Sequence, residues 1–331
     1  MASENPATAS ESPAASEIEG ADTQILEETD PLLKETPATA KEAPTASPAL
    51  APAEAPTPTK SRPADRARSN TAPSSQDRLA ADTAYNAAIG LTDAGEFAMA
   101  RDGWLEFLEK FPTNSQRTHA EYFLGVCLFR LQDFDGAVAR FQTAFNDPKF
   151  PDRDEAMYFH ALTLFEKGRL QLGREISSPK KDVANTIAER REEVLPETKK
   201  IYDEAIALFR QLISQFPKSK YRENAYYYCG LCMQQLGKDV DAMTYLKVAV
   251  ANQKFPMRNR ALYAMAEVYL NERNPQSAQA LELLDTLLKG KPDTVLRLRA
   301  LRLRADVLYQ MKPCPAPLPQ ANRTPSRRRG A

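Results

Sequence analysis

AEYFLGVCLFRLQDFDGAVARFQTA, residues 120–144, and AYYYCGLCMQQLGKDVDAMTYLKVA, residues 225–249, are one pattern written twice at an offset of 105. The offset holds downstream, where KFPDRDEAMY (149–158) matches KFPMRNRALY (254–263). It also holds upstream, where FAMARDGWLEFLEKFPTNS (97–115) matches YDEAIALFRQLISQFPKSK (202–220). None of the three alignments needs a gap, so a block of several helices has been duplicated.

A shorter period runs inside each block. Gly125 to Ala137 and Gly230 to Ala242 are both 12 residues apart. Ala100, Trp104, Phe107 and Pro112 recur as Ala205, Phe209, Leu212 and Pro217, and again as Ala280, Leu284, Leu287 and Pro292. Apolar residues fall at helical spacing throughout 79–311, with FPTN, KFPD, FPKS, KFPM and GKPD between the runs. Proline cannot continue a preceding helix but suits the first turn of the next. Small residues belong where two helices touch, and large ones fill the gap beside them. The pattern predicts five helix pairs and a sixth first helix, VLRLRALRLRADVLYQM (295–311).

This resembles the tetratricopeptide repeat, an antiparallel helix pair of about 34 residues. The fullest match is Leu124, Gly125, Leu128, Phe134, Ala137, Phe141 and Ala144. The resemblance implies an all-α, right-handed superhelical solenoid over 79–311. Residues 1–76 are rich in Ala, Pro, Glu, Ser and Thr. Such a composition buries too little apolar surface to offset chain entropy and reads as a disordered tail. The basic tail 312–331 reads the same way. In the third pair Ala161 and Ala205 are 44 residues apart, where the other pairs have 12 or 14. That marks an insertion at about 167–200, expected as a helical extension plus a loop and as a second interaction surface. ILEETDPLL (25–33) resembles an acidic dileucine sorting signal.

Composition narrows the function. Lys plus Arg equals Asp plus Glu, for a net charge of +0, which argues against nucleic acid as the partner. Only two histidines, His119 and His160, are available for metal or base chemistry. No phosphate-binding glycine loop, nucleophile elbow or zincin motif occurs. Acidic residues on the helices read as solvated surface. The one C-x-x-C, Cys229 and Cys232, lies mid-helix and not at the N-terminus that activates such pairs. Subtracting the offset places Cys232 on Cys127, which has no such partner because Leu124 sits where Cys229 does, so the thiols read as core. No enzyme activity, cofactor or metal site is expected; a thiol-dependent enzyme is the alternative. No secretory signal or transmembrane run is expected either, which makes the cytoplasm the default location.

Tetratricopeptide solenoids bind protein segments along the face lined by first helices. The resemblance places the fifth position of each repeat in that groove: Tyr85, Tyr122, Tyr158, Tyr227 and Tyr263, with Arg302 in the sixth first helix. Phe123, Phe159 and Tyr228 stand beside them. The expected role is a column of rings gripping a protein or peptide; the alternative is packing between neighbouring first helices. The carboxylate clamp of co-chaperone domains is absent, since Tyr85, Ile89, Glu155 and Phe159 stand where its Lys, Asn and Arg residues are required. Arg297, Arg299, Arg302 and Arg304 form a basic patch on the last helix.

AYNAAIGLTDAGEFAMARDGWLEFLEKFPTNSQRTHAEYFLGVCLF (84–129) resembles two bacterial cell-envelope groups. One is the C-terminal domain of the Tol–Pal-associated coordinator; the other is the tetratricopeptide lipoprotein of the outer-membrane barrel assembly complex. Both resemblances imply a non-catalytic protein holder peripherally associated with the envelope. The departures are the missing export signal, lipid-attachment cysteine and N-terminal coiled coil.

Overall fold

The computed structural model describes residues 74–177, 196–271 and 275–311. The tail expected at 1–76 lies outside them up to residue 73, as do the dileucine-like stretch, the middle of the insertion and the tail 312–331. Helix is the regular element throughout the described residues, and the fold class is the all-α tetratricopeptide solenoid. The chain divides into two compact units, the second of which begins at Tyr226.

The first unit holds α1 (Ser75–Asp93), α2 (Phe97–Lys110), α3 (Arg117–Arg130), α4 (Phe134–Asn146), α5 (Arg153–Ser177), α6 (Pro196–Gln215) and the start of α7 (Arg222–Gln235). These helices pair in sequence, α1 with α2, α3 with α4 and α5 with α6. First helices also touch one another, α1 with α3 and α3 with α5. The second unit holds the rest of α7, α8 (Asp239–Ala251), α9 (Arg258–Asn271), α10 (Ser277–Lys289) and α11 (Thr294–Gln310). There α9 packs on α8 and α10, and α10 on α11.

The repeated residues are the core. Ala100, Trp104, Phe107, Ala205, Phe209, Leu212, Ala280, Leu284 and Leu287 all have 0% exposure. Each large side chain among them contributes roughly 1.5–3 kcal/mol on leaving water. Close approach explains the glycines. A Cβ on Gly125 would lie 2.9 Å from the Phe141 ring, and one on Gly230 would lie 2.8 Å from Leu246. These two contacts are the same contact, one block apart.

Helix ends follow local chemistry. Ser74 caps α1 in a reciprocal box with Asp77, which satisfies two backbone donors that no helical carbonyl reaches. Asp133 and Asp293 cap α4 and α11 through the amides of Gly136 and Leu296. The turn from α7 to α8 passes through Gly237 at φ 68°, and the turn from α3 to α4 through Gln132 at φ 61°. Glycine adopts that left-handed backbone without cost, whereas glutamine does not.

The third pair departs from its neighbours at the insertion. The 25-residue α5 continues past the 14-residue length of α3 to Ser177. α6 starts at Pro196, with Thr198 already buried. Both described ends of the 167–200 segment are therefore helical and packed, with Gly168 close against the Tyr202 ring.

Candidate partner-binding face

The first helices present their fifth-position rings to a second set of aromatics. In the first unit Tyr122 lies 5.7 Å from Phe150, and Tyr158 stacks on Tyr221 at 4.5 Å. In the second unit Tyr227 meets Phe255 edge-on at 6.3 Å. Phe150, Tyr221 and Phe255 occupy the turns just before the next first helix. Each turn therefore closes over the ring of the preceding repeat. Offset and edge-on pairs of this kind add about 0.5–1.5 kcal/mol beyond area burial. The turn before α3 has Gln116 where the equivalent turn has Tyr221, and Tyr85 packs instead edge-on to Trp104 at 5.1 Å and Phe107 at 5.6 Å.

The burial that results is nearly complete. Tyr85, Tyr122, Phe123, Tyr158, Phe159, Tyr227 and Tyr228 are buried, Tyr263 is half-buried, and Arg302 is exposed. In the first unit Phe123 stacks on Trp104 at 5.5 Å and Phe159 on Phe141 at 5.8 Å, so second-helix rings separate the first-helix ones. Tyr122 touches both Phe123 and Phe159. In the second unit Tyr227 and Tyr228 meet at 5.0 Å. Burial pushes the Tyr85 phenol up to about 12. Tyr263 is also pushed up to about 12, first by burial and then by the Glu267 carboxylate.

The polar tips are held too. The Tyr122 hydroxyl donates to Glu155 Oε1 at 2.9 Å, and Lys220 Nζ lies 3.5 Å from the other carboxylate oxygen. The same ammonium sits 4.8 Å from the Tyr221 ring centroid. The Asn224 amide donates to the Tyr158 hydroxyl at 3.4 Å. Trp104 Nε1 donates to Thr92 Oγ1 at 3.0 Å, and that hydroxyl donates to the Ala88 carbonyl at 2.8 Å. Glu121, also buried, accepts from Arg117 at 3.2 Å and Arg140 at 2.8 Å. Three glutamates read as solvated from the sequence, Glu121, Glu155 and Glu166, are in fact buried. Arg117 and Arg169 lie one turn away on the same helices as Glu121 and Glu166, whereas Arg140, Tyr122 and Lys220 reach Glu121 and Glu155 from other elements, where helical periodicity does not reveal them. The rigid layer leaves Lys220, at 58% side-chain exposure, as a wet group directly above the rings of the first unit.

The sequence reading missed Phe150, Tyr221 and Phe255. The signal was present, because Phe150 and Phe255 obey the offset of 105. They sit in segments whose prolines mark helix ends, and a ring in a turn does not announce what it covers. Cys127, Cys229 and Cys232 each have 0% exposure, and burial pushes the Cys127 thiol up to about 11.

Residues 77–236, just under half of the chain, match the family YfiO, described as outer membrane lipoprotein. The repeat architecture is that of a tetratricopeptide repeat protein, and the family matched over this part of the chain is one of the bacterial envelope. Several solved structures resemble this tetratricopeptide protein at low identity. A thermophilic tetratricopeptide protein of Thermus thermophilus is 18% identical, over 69% of this chain and 99% of that one, with a TM-score of 0.44. YrrB, a tetratricopeptide protein with an unusual peptide-binding site, is 17% identical over 66% and 90% of the two chains, with a TM-score of 0.45. A tetratricopeptide protein of Parabacteroides merdae is 15% identical over 69% and 99%, with a TM-score of 0.28. None of the curated proteins matches. No described helix of this tetratricopeptide protein is long and apolar enough to cross a membrane.

Proposed function

We propose that this tetratricopeptide protein is a non-catalytic scaffold of the bacterial envelope, which holds a partner protein on its first-helix face. The observation that carries this reading is the locked aromatic layer under that face, clearest where Tyr122, Glu155 and Lys220 join rings, buried carboxylate and exposed ammonium. A surface with fixed rotamers loses little entropy when a partner lands on it, which is what a holder requires. In this reading the rings of Tyr85, Tyr122, Phe123, Tyr158 and Phe159 form the floor within the first unit, and those of Tyr227, Tyr228 and Tyr263 within the second. Lys220 and Arg302 meet the partner. The working part is the repeat region, about 79–311, and the resemblance to outer membrane lipoproteins supports the location.

Two measurements test it. Fractionation of cells expressing the untagged chain should recover it with the envelope; recovery wholly in the cytoplasm defeats the location. Photo-crosslinking from the first-helix face should capture one dominant protein, and capture with equal yield from the second-helix face defeats the assigned surface.

A further inference from the structure

Helix α11 carries two apolar faces, and the described helices cover one of them. Leu296, Ala300 and Val307 are buried, the first two in one cluster with Leu262, Ala266, Ala280, Leu284 and Leu287. On the opposite side Leu298, Leu301, Ala305 and Leu308 follow one another at helical spacing and are all exposed, Leu298 at 62%. Tyr309 extends the stripe at 79% exposure. At about 100° per residue, Arg297 and Arg304 fall along one edge of this stripe and Arg299 and Arg302 along the other. The only acid on the helix is Asp306.

The preceding first helix shows what this face is built to take. Setting Met257, in the turn just before α9, and Ala261 and Val268 of α9 on Leu296, Ala300 and Val307 of α11 matches buried residue to buried residue. The same register sets Leu262 on Leu301 and Ala266 on Ala305. In α9 those two residues are 2% and 0% exposed, covered by Ala280, Leu284 and Leu287 of α10. The open stripe of α11 therefore corresponds to the seat of a second helix.

The geometry points to α11 as the docking surface for an amphipathic helix of another polypeptide, which completes a sixth pair. Its contact face carries the Ala-x-x-x-Leu-x-x-Leu spacing of α10, with Glu or Asp along both flanks to meet the arginines. Charge decides among the occupants. A second copy of α11 sets arginine against arginine. Residues 312–331 hold five cations, five prolines and no acid, the wrong chemistry for this seat.

The test uses the full chain and a fluorescent 21-residue peptide with the α10 spacing and glutamate flanks. The control peptide has lysine flanks. Saturable micromolar binding is expected, at least tenfold tighter for the glutamate peptide. Leu301→Glu should weaken it at least tenfold, and Arg297→Glu with Arg302→Glu about fivefold, while Lys247→Glu on α8 changes nothing. If circular dichroism shows that Leu301→Glu unfolds, Leu298→Glu, the most exposed leucine of the stripe, replaces it. Absent or equal binding of the two peptides overturns the proposal. So does binding to vesicles containing one-third anionic lipid that Leu301→Glu abolishes while neither peptide binds, which reassigns the face to a membrane.

Discussion

The Tyr122 hydroxyl donates a 2.9 Å hydrogen bond to the carboxylate of Glu155, tying α3 to α5 inside a layer of rings. Tyr122→Phe removes the donor and leaves a buried carboxylate oxygen without it. The expected loss is about 1–3 kcal/mol in urea unfolding, the cost of an unsatisfied buried acceptor. Glu155→Met in the same background should cost less than it does alone, with a coupling of at least about 0.5 kcal/mol. Strict additivity would show that the bond contributes nothing.

Gly125 and Gly230 test the duplication at the level of packing. Alanine improves helix propensity by about 1 kcal/mol, but here its Cβ enters the van der Waals shell of Phe141 or Leu246. Overpacking wins, so both substitutions should destabilise by about 1–3 kcal/mol. Phe141→Leu should rescue Gly125→Ala in part. A neutral or stabilising outcome at both sites, measured by thermal unfolding, would mean that the close contacts are not made.

His160 supplies an acid-sensitive element. Its Nδ1 is buried without a hydrogen-bond partner among the described residues, and burial lowers its pKa from 6.5 to about 4. The unfolded chain takes up the proton first, so the contribution is full above pH 6.5 and is lost as pH falls through 4. The loss is of order 3 kcal/mol. His160→Leu should flatten the stability profile between those pH values without lowering stability at pH 7. An unchanged slope in parallel urea titrations would place the acid sensitivity elsewhere. At the alkaline end the sign reverses. Tyr85 and Tyr263, both raised to about 12, give stability that is full below pH 10 and lost as pH rises through 12.

The thiols should behave as core. In a Cys314→Ser background, a thiol reagent should modify Cys127, Cys229 and Cys232 only at the rate of unfolding, since all three have 0% exposure. Rapid modification of Cys229 in the folded protein would revive the thiol-dependent enzyme.

Much of this was legible in the residues. The Ala–large–large triplets named the core because 0% exposure at Ala100, Trp104 and Phe107 follows from helical spacing alone. The offset located the glycine contacts from the residues alone. The exposure of the first-helix tyrosines was not legible, because it depends on how neighbouring pairs nest. Tyr158 stacks on Tyr221, 63 residues away in the chain. Nor was the burial of Glu121 and Glu155, which Arg140, Lys220 and Tyr122 reach only after packing. The outward stripe of α11 was in the sequence as Leu298, Leu301 and Leu308. Only the position of α10 shows which leucine face of that helix is covered.

Position-resolved photo-crosslinking in cells tests the central claim most directly. A benzophenone side chain placed at Lys220, over the Tyr158–Tyr221 stack, is compared with one at Lys247 on the exposed side of α8. The account predicts one dominant protein captured from position 220 and not from 247. Equal capture from both positions, or capture from 247 alone, would contradict the claim that the first-helix face holds the partner.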